Sequence, residues 1–223
     1  MAEVKNHVIL QGLVLSKYLS HEAFEERFYR MELSAERKSG VADVINVIVS
    51  ERLPGSESAA GEYVKVIGEF RSRNVPASVR NRLELSVFAT EIKGYESEFD
   101  YLFDKNSENR IELDGYICKP PVLRETPYGR IITDMMLAVN RLNGRSDYIP
   151  CIAWGRTARY VSGLPVGSRL QLTGRIQSRN YQKLIVEEMI ETRTAYEVSI
   201  QTVHLVNNTI IQNIQEDEKN GED

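Results

Sequence analysis

The chain has 223 residues, 42% hydrophobic and 27% charged, with 28 Lys+Arg against 32 Asp+Glu and a formal net charge of −4. These proportions exclude wholesale disorder and leave room for one large domain or two of about 100 residues. Two cysteines, Cys118 and Cys151, exclude a disulfide scaffold or a cysteine-rich zinc site.

In chain order, the first element is the apolar-patterned run at 8–14, which contains Gly12. Met31, Leu33 and Ala35 then alternate with polar residues, as do Val64, Val66 and Phe70 around Gly68; residues 83–87 follow. Period-2 alternation is the mark of a half-buried strand. From residue 111 the series restarts. Residues 111–117 repeat the pattern of 8–14 with Gly115 at the place of Gly12, and 167–180 repeat 61–74 with Gly174 at the place of Gly68. Residues 196–200 are aligned with 83–87. The offset moves only from 103 to 106 between the two glycine pairs. The chain is therefore read as a tandem duplication, with copies at 1–95 and 109–206 and an acidic flexible tail at 207–223. Glycine inside a strand marks a bulge or bend, which a small coiled barrel requires. A short helix is predicted over 156–162, after the strand that ends at Trp154. Five strands with a helix after the third predict an all-β fold of two tandem Greek-key OB barrels, each with a short helix.

Counting by twos along 169–181 places Arg169, Gln171, Thr173, Arg175, Gln177, Arg179 and Tyr181 on one face and Leu170, Leu172, Gly174 and Ile176 on the other. The apolar face is the core. The opposite face carries guanidiniums, amides and a ring without a carboxylate, a composition suited to single-stranded nucleic acid, whose phosphates attract arginine and whose bases stack on flat rings. Between Gly115 and Tyr181 there are ten basic and three acidic residues, a net of +7; between Gly12 and Asn74 there are nine and ten, a net of −1. Binding is accordingly expected in the second copy. Tyr148, Trp154 and Tyr181 are its stacking candidates. Trp154, the lone tryptophan, either fills the core or stacks; Tyr148 shares its strand face unless a bulge intervenes. In the first copy Val44, Ser50 and Glu69 stand at the places of Tyr148, Trp154 and Arg175, so that copy reads as having lost its stacking partners while keeping Arg71 and Arg73.

The second copy resembles the bacterial single-stranded DNA-binding protein family. The likeness rests on Asn109-Arg110-Ile111-Glu112-Leu113-Asp114-Gly115, on Pro121-Val122-Leu123-Arg124-Glu125-Thr126-Pro127-Tyr128-Gly129 and on Leu137-Ala138-Val139-Asn140-Arg141. It continues through Asp147-Tyr148-Ile149-Pro150-Cys151-Ile152-Ala153-Trp154-Gly155 and Gly174-Arg175-Ile176-Gln177-Ser178-Arg179-Asn180-Tyr181. The resemblance implies the OB barrel, base stacking at Tyr148, Trp154 and Tyr181, and a strand path lined by Arg124, Arg130, Arg141, Arg156 and Arg175. It also implies sequence-independent binding of single-stranded DNA in replication, recombination or repair, with replication and repair proteins as further partners. Family members with one barrel usually form tetramers, so a homodimer with four barrels is expected. The family's acidic tail ends in an apolar tip; residues 215–223 are acidic without one.

No phosphate-binding glycine loop or HExxH motif occurs, and His7, His21 and His204 are far apart, so neither enzyme activity nor a cofactor or metal is expected. No apolar run nears the roughly 18 residues of a membrane helix, and residues 1–5 lack a signal-peptide core. A cytoplasmic, nucleoid-associated protein without membrane contact is expected. The alternative is a primosomal or replisome assembly protein whose barrels mainly bind protein.

Overall fold

Alternation of apolar and polar residues draws the first half of the chain into five strands: β1 (Asn6–Ala23), β2 (Glu26–Glu36), β3 (Ala42–Ser50), β4 (Tyr63–Val75) and β5 (Arg82–Gly94). They lie in the order β2-β3-β5-β4-β1, and β1 also pairs with β2, which closes the barrel. The β3–β5 pair is parallel and the others antiparallel. This computed structural model describes residues 6–37, 39–75, 82–104, 109–186 and 189–206; the expected tail at 207–223 lies outside them.

After the short helix α1 (Glu98–Phe103) the pattern returns as β6 (Asn109–Ile117), β7 (Val122–Glu125), β8 (Ile131–Asn140), β9 (Ser146–Trp154), α2 (Gly155–Ser162), β10 (Arg169–Val186) and β11 (Met189–Leu205). The second barrel runs β6-β10-β11-β9-β8 and closes through β6–β8, with β7 as an added edge. Each interior is filled by the alternating residues, such as Leu10, Val66 and Phe70 in one and Leu113, Leu172 and Ile176 in the other. Helix α2 sets Ala158 and Val161 against the second core, and Thr133 Oγ1 donates to the Ala158 carbonyl at 2.8 Å. In the first barrel residues 51–61 form turns at the corresponding place, and α1 lies outside it in the connection; the barrel helix expected in each copy occurs only in the second. Among the described residues no helix is long and apolar enough to cross a membrane.

The strand glycines act by close approach. A Cβ on Gly68 would lie 2.2 Å from the Phe88 carbonyl oxygen, and one on Gly174 would lie 2.4 Å from that of Ser199. Register shifts fall at these glycines in both barrels, with Gly68 opposite Ala89 and Gly174 opposite Ile200. This corrects the sequence alignment of the last strand. Val87 and Phe88 correspond to Val198 and Ser199, because each pairs with the matching residue of the parallel third strand (Val47 and Ile48; Cys151 and Ile152). Residues 83–87 therefore match 194–198. The slip of two preserves the faces but changes which residues are equivalent.

The barrels join through antiparallel pairing of β1 with β6, centred on Val8 opposite Ile111, which makes one eleven-stranded sheet. A reciprocal clamp flanks the seam. Buried Asp147 accepts from Arg141 and, at 2.6 Å, from the backbone N–H of Ser72 in the first barrel. Buried Asp43 accepts from Arg37 and, at 2.7 Å, from the backbone N–H of Ser178 in the second. The hydroxyls of Ser72 and Ser178 in turn accept from the N–H groups of Tyr148 and Val44. Tyr196 fills the same seam, where burial pushes its hydroxyl up to about 12.

Candidate nucleic-acid interface

Strand β9 pairs with β8 without a register shift, so its alternation is unbroken: Asp147, Ile149 and Cys151 point inward, and Tyr148 and Trp154 point outward. The two readings of Trp154 resolve in favour of the surface. The residue is 37% exposed, and its Nε1–H donates to Ser199 Oγ on β11 at 3.3 Å. The chain turns into α2 directly after it, at Gly155 with φ 56°, and α2 rather than the indole fills the barrel end. Cross-strand pairing sets Arg124, Ile132 and Trp154 in one row across β7, β8 and β9.

The row continues onto the β10–β11 hairpin. Arg175 pairs with Ser199, Gln177 with Glu197, Arg179 with Ala195 and Tyr181 with Arg193, all on the face that carries Ser199. Tyr181 is 40% exposed, six residues beyond Arg175, so roughly 20 Å of hairpin separates them. Tyr148, Trp154 and Tyr181 are thus all accessible, and Arg130, Arg156 and Arg179 are exposed with no acidic partner among the described residues.

The other four arginines differ. Arg124 forks onto Asp134 at the edge of the ring-bearing face. Arg141 is held by Asp147 and donates to the Ser72 carbonyl at 3.2 Å, so it belongs to the barrel seam. Arg169 forks onto Asp114 of β6 at 2.8 and 2.9 Å; it shares the outward parity of β10 but lies below the Gly174 bend. Burial opposes the Asp114 charge, yet the Arg169 and Gln171 donors outweigh it and hold the carboxyl below the usual carboxylate range. Arg175 sits half-buried in a recess with Arg37, Asp43 and Asn109, where burial and then the charge of Arg37 lower its proton affinity.

Two acids were hidden from a count along β10 alone. Glu197 of β11 accepts from Gln177 at 2.6 Å and lies near enough to raise the proton affinity of Arg124, while Asp134 comes from β8. The face is therefore mixed at its centre and cationic at its ends. The first barrel differs from its sequence reading too. Phe28 and Phe88 stand outward on β2 and β5, so that copy carries rings on the neighbours of β3 although Val44, Ser50 and Glu69 supply none. The signal lay in the register: Phe28 corresponds to Ile132, and Phe88 to Ser199.

Comparison with known proteins agrees with this architecture. Residues 108–206 match the model of the single-strand binding protein family. Over 109 residues the chain is 36% identical to single-stranded DNA-binding protein 2 of Listeria monocytogenes, covering 46% of this chain and 68% of that protein. Over 81 residues it is 40% identical to single-stranded DNA-binding protein A of Bacillus subtilis, covering 33% of this chain and 47% of that protein. The match thus spans two thirds of the first relative's length and about half of the second's. A deletion mutant of the single-stranded DNA binding protein from Thermus aquaticus superposes with a TM-score of 0.74 at 21% identity, covering 94% of this chain and 98% of that chain. At that identity the likeness bears on the fold, and it takes in both barrels.

Proposed function

From the premise that this chain belongs to the single-strand binding protein family, we propose that it binds single-stranded DNA, chiefly through the outer face of its second barrel, and shields it during replication, recombination or repair. The observation that carries this reading is the run of accessible rings, Tyr148, Trp154 and Tyr181, with Arg130, Arg156 and Arg179 around it free of acid partners among the described residues. Rings stack on any base and guanidiniums follow the backbone, so neither contact depends on base sequence. The Asp134 and Glu197 carboxylates limit the phosphate path to the margins of the face.

Salt titration of oligothymidylate binding tests this. Affinity should fall with a log–log slope of about −0.7 per phosphate neutralised, and a slope near −2 corresponds to engagement of Arg130, Arg156 and Arg179. No binding at low salt would instead support a role in protein assembly.

We infer further that two chains associate to bring four barrels together. The single chain already arranges two barrels about the β1–β6 seam, which leaves their outer faces for a second chain and for DNA. Sedimentation should give a mass near twice 25.5 kDa. A mass near one chain with oligonucleotide binding intact refutes the dimer.

A further inference from the structure

The seam clamp is built twice, and its two halves differ in charge. Arg37 and Asp43 recur as Arg141 and Asp147 at an offset of 104, and Asn6 recurs as Asn109 at 103, but Glu69 is matched by Arg175 at 106. Beside Arg141, the Glu69 carboxylate pairs with Arg71 at 2.9 Å and also adds to the proton affinity of Arg141. Beside Arg37, a guanidinium stands where that carboxylate belongs. Both halves start from one buried ion pair, and the Arg141 half alone has a second carboxylate next to it.

At the Arg37 half the seam opens into a recess of about 330 Å³, lined by Arg37, Ser39 and Asp43 of the first barrel and by Asn109 and Arg175 of the second, with Glu36 exposed at its rim. Asp43 is already committed: it accepts from Arg37 at 2.7 and 2.6 Å and from the Ser178 N–H at 2.7 Å. The Asn109 amide is committed to the backbone of Ile176. Arg175 has no ion-pair partner among the described residues and donates only a long bond, 3.4 Å, to Gln177. Burial and the like charge of Arg37 both lower its proton affinity, with Asp43 opposing. Two guanidiniums thus share a recess whose one buried carboxylate is spent, while the charge of Glu36 lies in solvent, where it is screened.

We propose that this recess binds a phosphate-type anion between the Arg37 and Arg175 guanidiniums, with the Ser39 hydroxyl beside them as a further donor. The anion supplies at this half of the clamp the charge that Glu69 supplies at the other. Phosphate is favoured over carboxylate because its oxygens are set tetrahedrally and reach both guanidiniums, whereas the two oxygens of a planar carboxylate are taken by a single fork. Since Arg37 belongs to one barrel and Arg175 to the other, the bound group adds a link across the seam. The phosphate arrives either on a free small molecule or on a strand backbone; the chemistry of capture is the same. The site stands apart from the ring-bearing face and does not depend on what that face binds.

Thermal unfolding of the DNA-free chain in sodium phosphate, against sodium chloride at equal ionic strength, tests this. Inorganic phosphate at about ten times its dissociation constant should raise the parent's midpoint by about 3–6 °C. Arg175→Gln should lose that rise. So should Arg175→Glu, which puts a carboxylate where Glu69 stands in the other half, and its midpoint in chloride should match or exceed the parent's. No rise in the parent overturns the site, as does an equal rise in the parent and in Arg175→Gln, which is the general effect of an excluded salt. A second arm separates the sources. Loss of oligothymidylate affinity in phosphate, seen in the parent and absent in Arg175→Gln, assigns the captured group to the strand backbone; stabilisation by phosphate with oligothymidylate affinity unchanged assigns it to a free molecule. Failure of the parent to bind oligothymidylate at all overturns the DNA reading and leaves the recess standing.

Discussion

Replacing Trp154 and Tyr181 together by alanine is expected to weaken binding of a labelled oligothymidylate by about 30-fold to more than 10⁴-fold. Each base–ring stack contributes about 1–3 kcal/mol, and about 1.4 kcal/mol is a factor of ten. Both rings project from strands whose inward neighbours make the core, so their removal opens no interior cavity. Trp154 gives up a single 3.3 Å bond to Ser199. The melting temperature should therefore move little while affinity collapses. Fluorescence anisotropy of the labelled strand is the readout, because the variant lacks the chain's only tryptophan. Phenylalanine at both positions should restore most of the affinity. A loss below about threefold would sink the assignment of these rings to base stacking, whose minimum for two stacks is about tenfold higher.

The second large effect concerns stability. Asp147→Ala is expected to destabilise the fold by about 3–5 kcal/mol, the usual loss when one partner of a buried ion pair is removed. Its carboxylate is fully buried, and the Arg141 side chain it holds is only 22% exposed. Without it that guanidinium loses its counter-charge and the Ser72 N–H loses its acceptor. Against a typical total of about 5–15 kcal/mol this is a large share, and the midpoint of urea unfolding should fall accordingly. Asp147→Asn, which can still accept from Ser72, should lose less. A midpoint unchanged by the alanine variant would show that the clamp contributes nothing to joining the barrels.

This clamp also shows how function and architecture were confounded in the sequence. The family resemblance implies that Arg141 lines the strand path. Yet Arg37 and Asp43 recur as Arg141 and Asp147 at an offset of 104, and Ser72 as Ser178 at 106. Polar residues kept in both copies while the surrounding surfaces diverge belong to the shared scaffold. The same signal marks Asn6 and Asn109, whose amides make matching pairs of hydrogen bonds to the backbones of Phe70 and Ile176. Repetition was thus informative twice over, once for the fold and once for identifying side chains that hold it.

What the residues determined on their own was the period and the repeat: alternation places each side chain in or out of a barrel, and a duplicated pattern demands a duplicated barrel. Those are properties of neighbours along the chain. Whether a cation is free is a property of distance across strands. Asp114 meets Arg169 from 55 positions away, Glu197 meets Gln177 from 20, and Phe28 meets Phe88 across the first barrel. Only the closed register brings these pairs together. Electrostatic and aromatic contacts act over a few ångströms of space, so the tertiary structure alone decided which charges cancel and which rings meet.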